Sequence, residues 1–280
     1  MDKVYIDGIC FDSFKGELQA VVLSGNNLSE ELTAMREYGL KGVVLNRYFC
    51  KDRINDLDFL KDYPEVQDVR MSNEDFDCNG LLYLNELKCL CISGNHFSDY
   101  SIFPHLKVLS VAQKNPFPLP NKLESLYLYG CKMKEKGLAA FNFPNTLKDL
   151  SCSRSDLQNL HSLPSTLEIL DLALVRPLVS LDGLENCAGS LKDLDIEYCP
   201  NISDVSALEK CSNMEKLLLC VCKEIPTIKF VNYMPKLKHF AFDKTYVADA
   251  DLSPLKSVPS VYFSNHKNYN YKLKDFMDAI

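Results

Sequence analysis

Five histidines and twelve cysteines are the residues from which metal sites and nucleophiles are ordinarily built. The histidines, at 96, 105, 161, 239 and 266, form no H-x-x-x-H or H-E-x-x-H pair. The chain also lacks G-x-S-x-G, the P-loop and G-x-G-x-x-G. Cysteine spacing gives two C-x-C pairs, Cys89/Cys91 and Cys220/Cys222, and no C-x-x-C, so a thioredoxin-like redox motif is not supported. Zinc at Cys89/Cys91 would need two further ligands. Their expected strand neighbours are Asp68, Arg70, Val108 and Ser110, which supply one carboxylate at most, so a structural or incidental thiol pair is the expectation.

The remaining chemistry is acidic. Asp149, Asp171 and Asp193 recur at steps of 22 residues, and Asp195 and Glu197 follow closely. Carboxylates at such spacings have three uses. A pair performs general acid and base work on glycosides. Several converging oxygens hold calcium. A fixed cluster steers a basic partner. Which use applies depends on the elements that carry them.

The balance of 31 basic and 38 acidic side chains, net −7 with a pI near 5.3, argues against nucleic acid and anionic membrane as partners. MDKVYIDGICFDSF has no apolar stretch of signal-peptide kind, and no run approaches the ~18 apolar residues of a spanning helix. The expectation is a cytoplasmic, monomeric protein whose cysteines stay reduced. At 280 residues the length prior is about two domains.

A repeat overrides that prior. L-x-x-L-x-L-x-x-N/C recurs as LQAVVLSGN from Leu18, LKCLCISGN from Leu87, LESLYLYGC from Leu123, LKDLSCSRS from Leu147, LEILDLALV from Leu167 and LKDLDIEYC from Leu191. Weaker copies start at Leu40, Val66, Leu106, Met214, Leu237 and Val258. L-x-L is a short strand with one buried face, and such a strand buries its leucines only by stacking on the next copy. On these residues the chain resembles the leucine-rich repeat family over nearly its whole length. The resemblance implies an α/β leucine-rich repeat solenoid: a curved right-handed arc with a parallel sheet on its concave face. Short helical, 3-10 or extended segments would form the convex face. The expected organisation is one domain, 1–280, with an N-terminal cap at 1–17, about eleven repeats over 18–257, and a terminal coil and capping helix at 258–280.

Local signals refine this expectation. Asp7-Gly8 within VYIDGICF predicts a hairpin turn. Apolar residues three apart in 54–63 and 202–211 predict short helical or 3-10 turns. FPLPN, FPNT and LPST predict extended connections. Leu273, Phe276, Met277 and Ile280 share one helical face. Asn26 and Asn95, at the ninth repeat position, are expected to be buried and to satisfy backbone groups, with Cys131, Cys199 and Cys222 replacing asparagine there.

Positions three, five and seven of each copy project from the concave sheet. They are small and nearly neutral in the first half. They then become Tyr127 and Tyr129, followed by Asp149, Asp171, Asp193, Asp195 and Glu197. Lys148 and Lys192, at position two, are the expected local counter-charges. These seven residues are the candidate partner-binding site. The leading reading is a non-enzymatic scaffold, with no cofactor, metal or catalytic residue, docking a protein of basic character in an inhibitor-like or adaptor role. The alternative is a metal-dependent or carboxylate-based hydrolase using the same cluster. Irregular repeats of about 22 residues and the closing SVYFSNHKNYNYKLKDF also resemble bacterial cytoplasmic repeat proteins, some of which neutralise a co-encoded toxin; that resemblance implies an immunity-like role.

Overall fold

A computed structural model describes residues 2–50, 53–72 and 77–276. Internal contacts group the chain into two units. The first runs to Gln113 and includes Phe117–Glu124; the second comprises Lys114–Pro116 and the chain from Ser125 onward.

The first unit begins with two hairpins. Strands β1 (Asp2–Ile6) and β2 (Ile9–Phe14) are joined through Asp7 and Gly8, both at positive φ, the conformation a two-residue type I′ turn demands. Lys15-Gly16 repeats the device and leads into β3 (Glu17–Leu23), so the cap is a three-stranded antiparallel meander rather than a single hairpin. From β3 the pairing becomes parallel through β4 (Gly42–Leu45), β5 (Asp68–Met71), β6 (Cys89–Ser93) and β7 (Val108–Ala112). Helix α1 (Leu28–Glu37) fills the first connection and buries Leu32 and Met35, an i, i+3 pair that the repeat pattern did not reveal.

The open face is not open everywhere. Ala20, Val22 and Val44, expected to project freely, are at most 9% exposed. They pack with Cys10 of β2 and with Phe49, which follows β4 on a single helical turn (α2, Arg47–Cys50). The apolar character of these position-three and position-five residues is therefore a second, small core under a local cover. Asn26 and Asn95 are exposed, which corrects the expectation of buried asparagines. In the first coil Glu31 does that work: its carboxylate accepts hydrogen bonds from the backbone N–H groups of Ser24 and Gly25.

The second unit carries β8 (Ser125–Tyr129), β9 (Asp149–Ser153), β10 (Ile169–Ala173), β11 (Asp193–Glu197), β12 (Lys216–Cys220), β13 (Lys223–Ile225), β14 (His239–Ala241), β15 (Thr245–Val247) and β16 (Ser260–Tyr262). Strands β8 to β12, β14 and β16 pair in parallel and in register, while β13 and β15 form a separate two-stranded ladder. Positions one, four and six of each copy point inward: Leu167, Leu170, Leu172 and Leu191, Leu194, Ile196 are at most 1% exposed. Burying each such side chain contributes roughly 1.5–3 kcal/mol.

What ends each strand is a repeated backbone kink. Position eight has positive φ at Gly94, Gly130, Arg154, Leu174, Tyr198, Val221 and Lys244. The N–H of Gly130, Arg154, Leu174, Tyr198 and Val221 in each case donates to the carbonyl of position seven on the next strand, extending the ladder as the chain turns inward. In the second unit position nine then drops into the core. Cys131, Cys199 and Cys222 are at most 1% exposed there, and the thiols of Cys199 and Cys222 donate to strand carbonyls of Leu172 and Ile196 at 3.6 Å. Burial pushes the three thiols up to about 12, about 11 and about 12, so they sit as inert packing groups.

Connections on the far side are short 3-10 turns at Asp58–Asp62, Ser206–Lys210, Lys229–Tyr233 and Ser253–Ser257, as the three-residue apolar spacing predicts for 54–63 and 202–211. FPLPN, FPNT and LPST form no helix, though a kinked 3-10 stretch at Lys134–Ala140 stands between the first two. At the C-terminal end, Leu273–Phe276 form one 3-10 turn. Met277 and Ile280, read as the rest of a capping face, lie outside the described residues.

A candidate docking face on the second unit

Register places the candidate residues on the open face of the second unit's sheet. One row, at position three, runs Ser125, Asp149, Ile169, Asp193, Lys216, His239. The next, at position five, runs Tyr127, Ser151, Asp171, Asp195, Leu218, Ala241. Position seven adds Tyr129, Ser153, Ala173, Glu197 and Cys220. Neighbouring strands lie about 4.8 Å apart, so all seven residues singled out in the sequence share one face across four strands.

Their charges are poorly compensated. Asp193 has a counter-ion, with the Lys216 ammonium 3.2 Å from its carboxylate. The Tyr127 hydroxyl donates to Asp149 Oδ2. Asp149 Oδ1 and Asp195 Oδ1 are both buried without a hydrogen-bond partner. Burial raises the Asp149 carboxyl above the usual range, opposed by the Tyr127 hydrogen bond. Burial also raises Asp171, helped by the charges of Asp149 and Asp193. Asp195 reaches about 6, through burial first and then repulsion from Glu197 and Asp171. The same environment pushes the Tyr127 phenol up to about 12.

The lysines at position two do not relieve this row. Lys148 and Lys192 both pair with Glu168, at 3.0 and 2.6 Å, and Lys238 pairs with Glu215. Position two reads Lys148, Glu168, Lys192, Glu215, Lys238 along the second unit, an alternating ladder that neutralises itself. The expectation that Lys148 and Lys192 offset the aspartates is thus corrected: among the described residues only Lys216, one row over, pairs with one of them.

The rest of the face is amphipathic. Tyr129 is 49% exposed, with the Arg154 guanidinium 5.5 Å from its ring centre. Ile169 is exposed between Asp149 and Asp193, and Tyr198 and Tyr262 are half-exposed beyond. Ile169, Lys216 and Leu218 occupy the same outward positions but fall outside the tyrosine and carboxylate pattern by which the seven candidates stand out. Arg154 was missed because position eight turns away from the strand, and only its positive φ brings the side chain back over Tyr129. Among the described residues, no group of three or more His, Cys, Asp or Glu side chains converges to hold a metal ion. Among the same residues, no helix is long and apolar enough to cross a membrane.

Comparison with known proteins rests on the fold. No family model matches the sequence, and no curated protein matches it. Solved structures do. The internalin InlF of Listeria monocytogenes aligns at TM-score 0.53 and 16% identity, over 89% of this chain and 83% of its own. The functional domain of InlJ from the same organism aligns at TM-score 0.38 and 14% identity, over 88% of this chain and 66% of its own. With recurrent L-x-L strands in parallel register, leucines inward and a kink at position eight, the chain has the leucine-rich repeat fold.

Proposed function

We propose that the protein is a non-enzymatic binding scaffold whose open sheet face, from β8 to β11, docks a protein partner of basic character. The observation that carries the reading is the contrast between two parallel rows. Position two alternates in sign and satisfies itself, whereas the open face concentrates Asp149, Asp171, Asp193, Asp195 and Glu197 around one lysine. Keeping partly desolvated carboxylates together lowers the stability of the free protein, and a cationic surface laid over them offsets that penalty on binding. Tyr127, Tyr129 and Ile169 supply the apolar contact area that charge alone does not. Fixed negative charge also speeds encounter with a basic partner. A cytoplasmic location, a monomeric state and an inhibitor-like or adaptor role belong to the same proposal. The net charge of −7 fits it and disfavours nucleic acid.

Charge reversal of Asp171, Asp193 and Asp195 to lysine tests it. The partner, recovered by affinity purification, is titrated against both forms at low and high salt. The triple variant is expected to lose at least about a hundredfold in affinity, mostly through association rate, with a flattened salt dependence. Equal affinity for the two forms would remove the face as the binding site.

A further inference from the structure

A second chemical site stands in the first unit, independent of the acidic face. Nine of the twelve cysteines are buried; Cys89, Cys91 and Cys220 are partly exposed, and only the first two lie together. Cys89 and Cys91 are alternate residues of β6, so both side chains emerge on the same, open face. Across the strand, Asp68 stands opposite Cys89 and Arg70 opposite Cys91, with the Arg70 guanidinium bonded to the Asp68 carboxylate. On the other side are Val108 and Ser110, neither a metal ligand of the soft kind.

The spacing discriminates between the two things a thiol pair can do. Residues i and i+2 of a strand have Cα atoms about 6.7 Å apart and nearly parallel Cβ directions. A disulfide needs Cβ atoms about 3.8 Å apart, so direct closure would require the strand to buckle. A single bridging atom fits better. Two metal–sulfur bonds of about 2.3 Å hold their sulfurs roughly 4.5 Å apart, a span the two side chains reach by leaning together.

We propose that Cys89 and Cys91 form a two-thiolate site for a thiophilic monovalent cation of the copper(I) type. Thiolates select soft ions, and a closed-shell monovalent ion is satisfied by two of them. The absence of a third convergent ligand among the described residues disfavours zinc, which takes four. On binding, both S–H bonds are lost, two Cu–S bonds form and two protons leave to solvent; copper remains copper(I) throughout. The bis-thiolate complex carries one net negative charge and stands beside the Arg70–Asp68 ion pair of the adjacent strand.

The test titrates the full-length protein anaerobically against copper(I) held by a chromogenic chelator. The wild type is expected to withdraw one ion per chain, more tightly as pH rises. Cys89→Ser and Cys91→Ser should each bind more than about tenfold more weakly, while Cys220→Ser matches the wild type. Far-UV circular dichroism shows whether each variant is folded, and a copper K-edge spectrum of the wild type reads the ligand set without any substitution. Two sulfur neighbours are expected. No uptake by the wild type, undiminished uptake by folded Cys89→Ser and Cys91→Ser, or three sulfur neighbours would overturn the proposal.

Discussion

Replacing Asp195 by asparagine should stabilise the protein at neutral pH and weaken its binding face at once. Asp195 stands in register between Asp171 and Leu218, one Oδ1 is buried without a partner, and Glu197 lies two residues on along the same face. Its carboxyl is raised from 3.8 to about 6. Because the folded-state value lies above the unfolded one, folding takes up a proton between roughly pH 4 and 6. This group's contribution to stability is therefore most favourable below about pH 4 and declines as pH rises through 6. About two pKa units correspond to a ceiling of about 3 kcal/mol at neutral pH. Partial solvent exposure of the side chain screens this to about 1–2 kcal/mol. Urea unfolding of the wild type and Asp195→Asn at pH 7.5 and pH 4.5 reads the effect as a double difference. The variant should be more stable by about 1–2 kcal/mol at pH 7.5, and the gain should shrink to a few tenths at pH 4.5. A variant less stable than the wild type at pH 7.5, or a gain of equal size at both pH values, would refute the idea that burial, reinforced by repulsion from Glu197 and Asp171, holds this carboxyl up.

Other positions give equally direct tests. Val221 is a β-branched residue at φ 56°, so Val221→Gly should raise the urea midpoint by an amount worth about 0.5–1 kcal/mol, net of the glycine's unfolded-state entropy. Gly130 occupies the same repeat position with no heavy atom within 4 Å of an added Cβ; Gly130→Val should cost about 1–2 kcal/mol through backbone conformation alone, measured in the same way. In the first unit, a Cβ on Gly80 would lie 2.0 Å from the Leu57 carbonyl oxygen of the preceding coil, so Gly80→Ala should lower the thermal midpoint, costing about 2–3 kcal/mol. Tyr127→Phe removes the hydrogen bond that opposes burial at Asp149, so an NMR titration should show the Asp149 carboxyl moving further up.

Much of this architecture is readable from spacing because one repeat position does one job. Leu167, Leu170 and Leu172 alternate as a half-buried strand must, and counting from Leu147, Leu167 and Leu191 puts Asp149, Ile169 and Asp193 in one row and Ser151, Asp171 and Asp195 in the next. The seven candidate residues share a face for the same reason. What escaped the spacing depends on contacts between elements that no single period records. Phe49 covers Ala20, Val22 and Val44 because a helical turn follows β4, and nothing in GVVLNRYFC distinguishes a covered face from an open one. Glu31 replaces a buried asparagine by reaching back from α1 to Ser24 and Gly25. Lys148 and Lys192 both turn to Glu168, the position-two residue of the coil between them, and the repeat period does not say which carboxylate a lysine side chain takes.

Site-specific photocrosslinking tests the docking face most directly. A photoreactive phenylalanine is placed at Tyr129 or Ile169 on the open face, and at Tyr233, 55% exposed on a 3-10 turn of the far side. Each is irradiated with the purified partner. The account predicts crosslinks from positions 129 and 169 that are lost in the Asp171, Asp193 and Asp195 charge reversal, and none from position 233. Crosslinks from position 233 with none from the sheet face would contradict it.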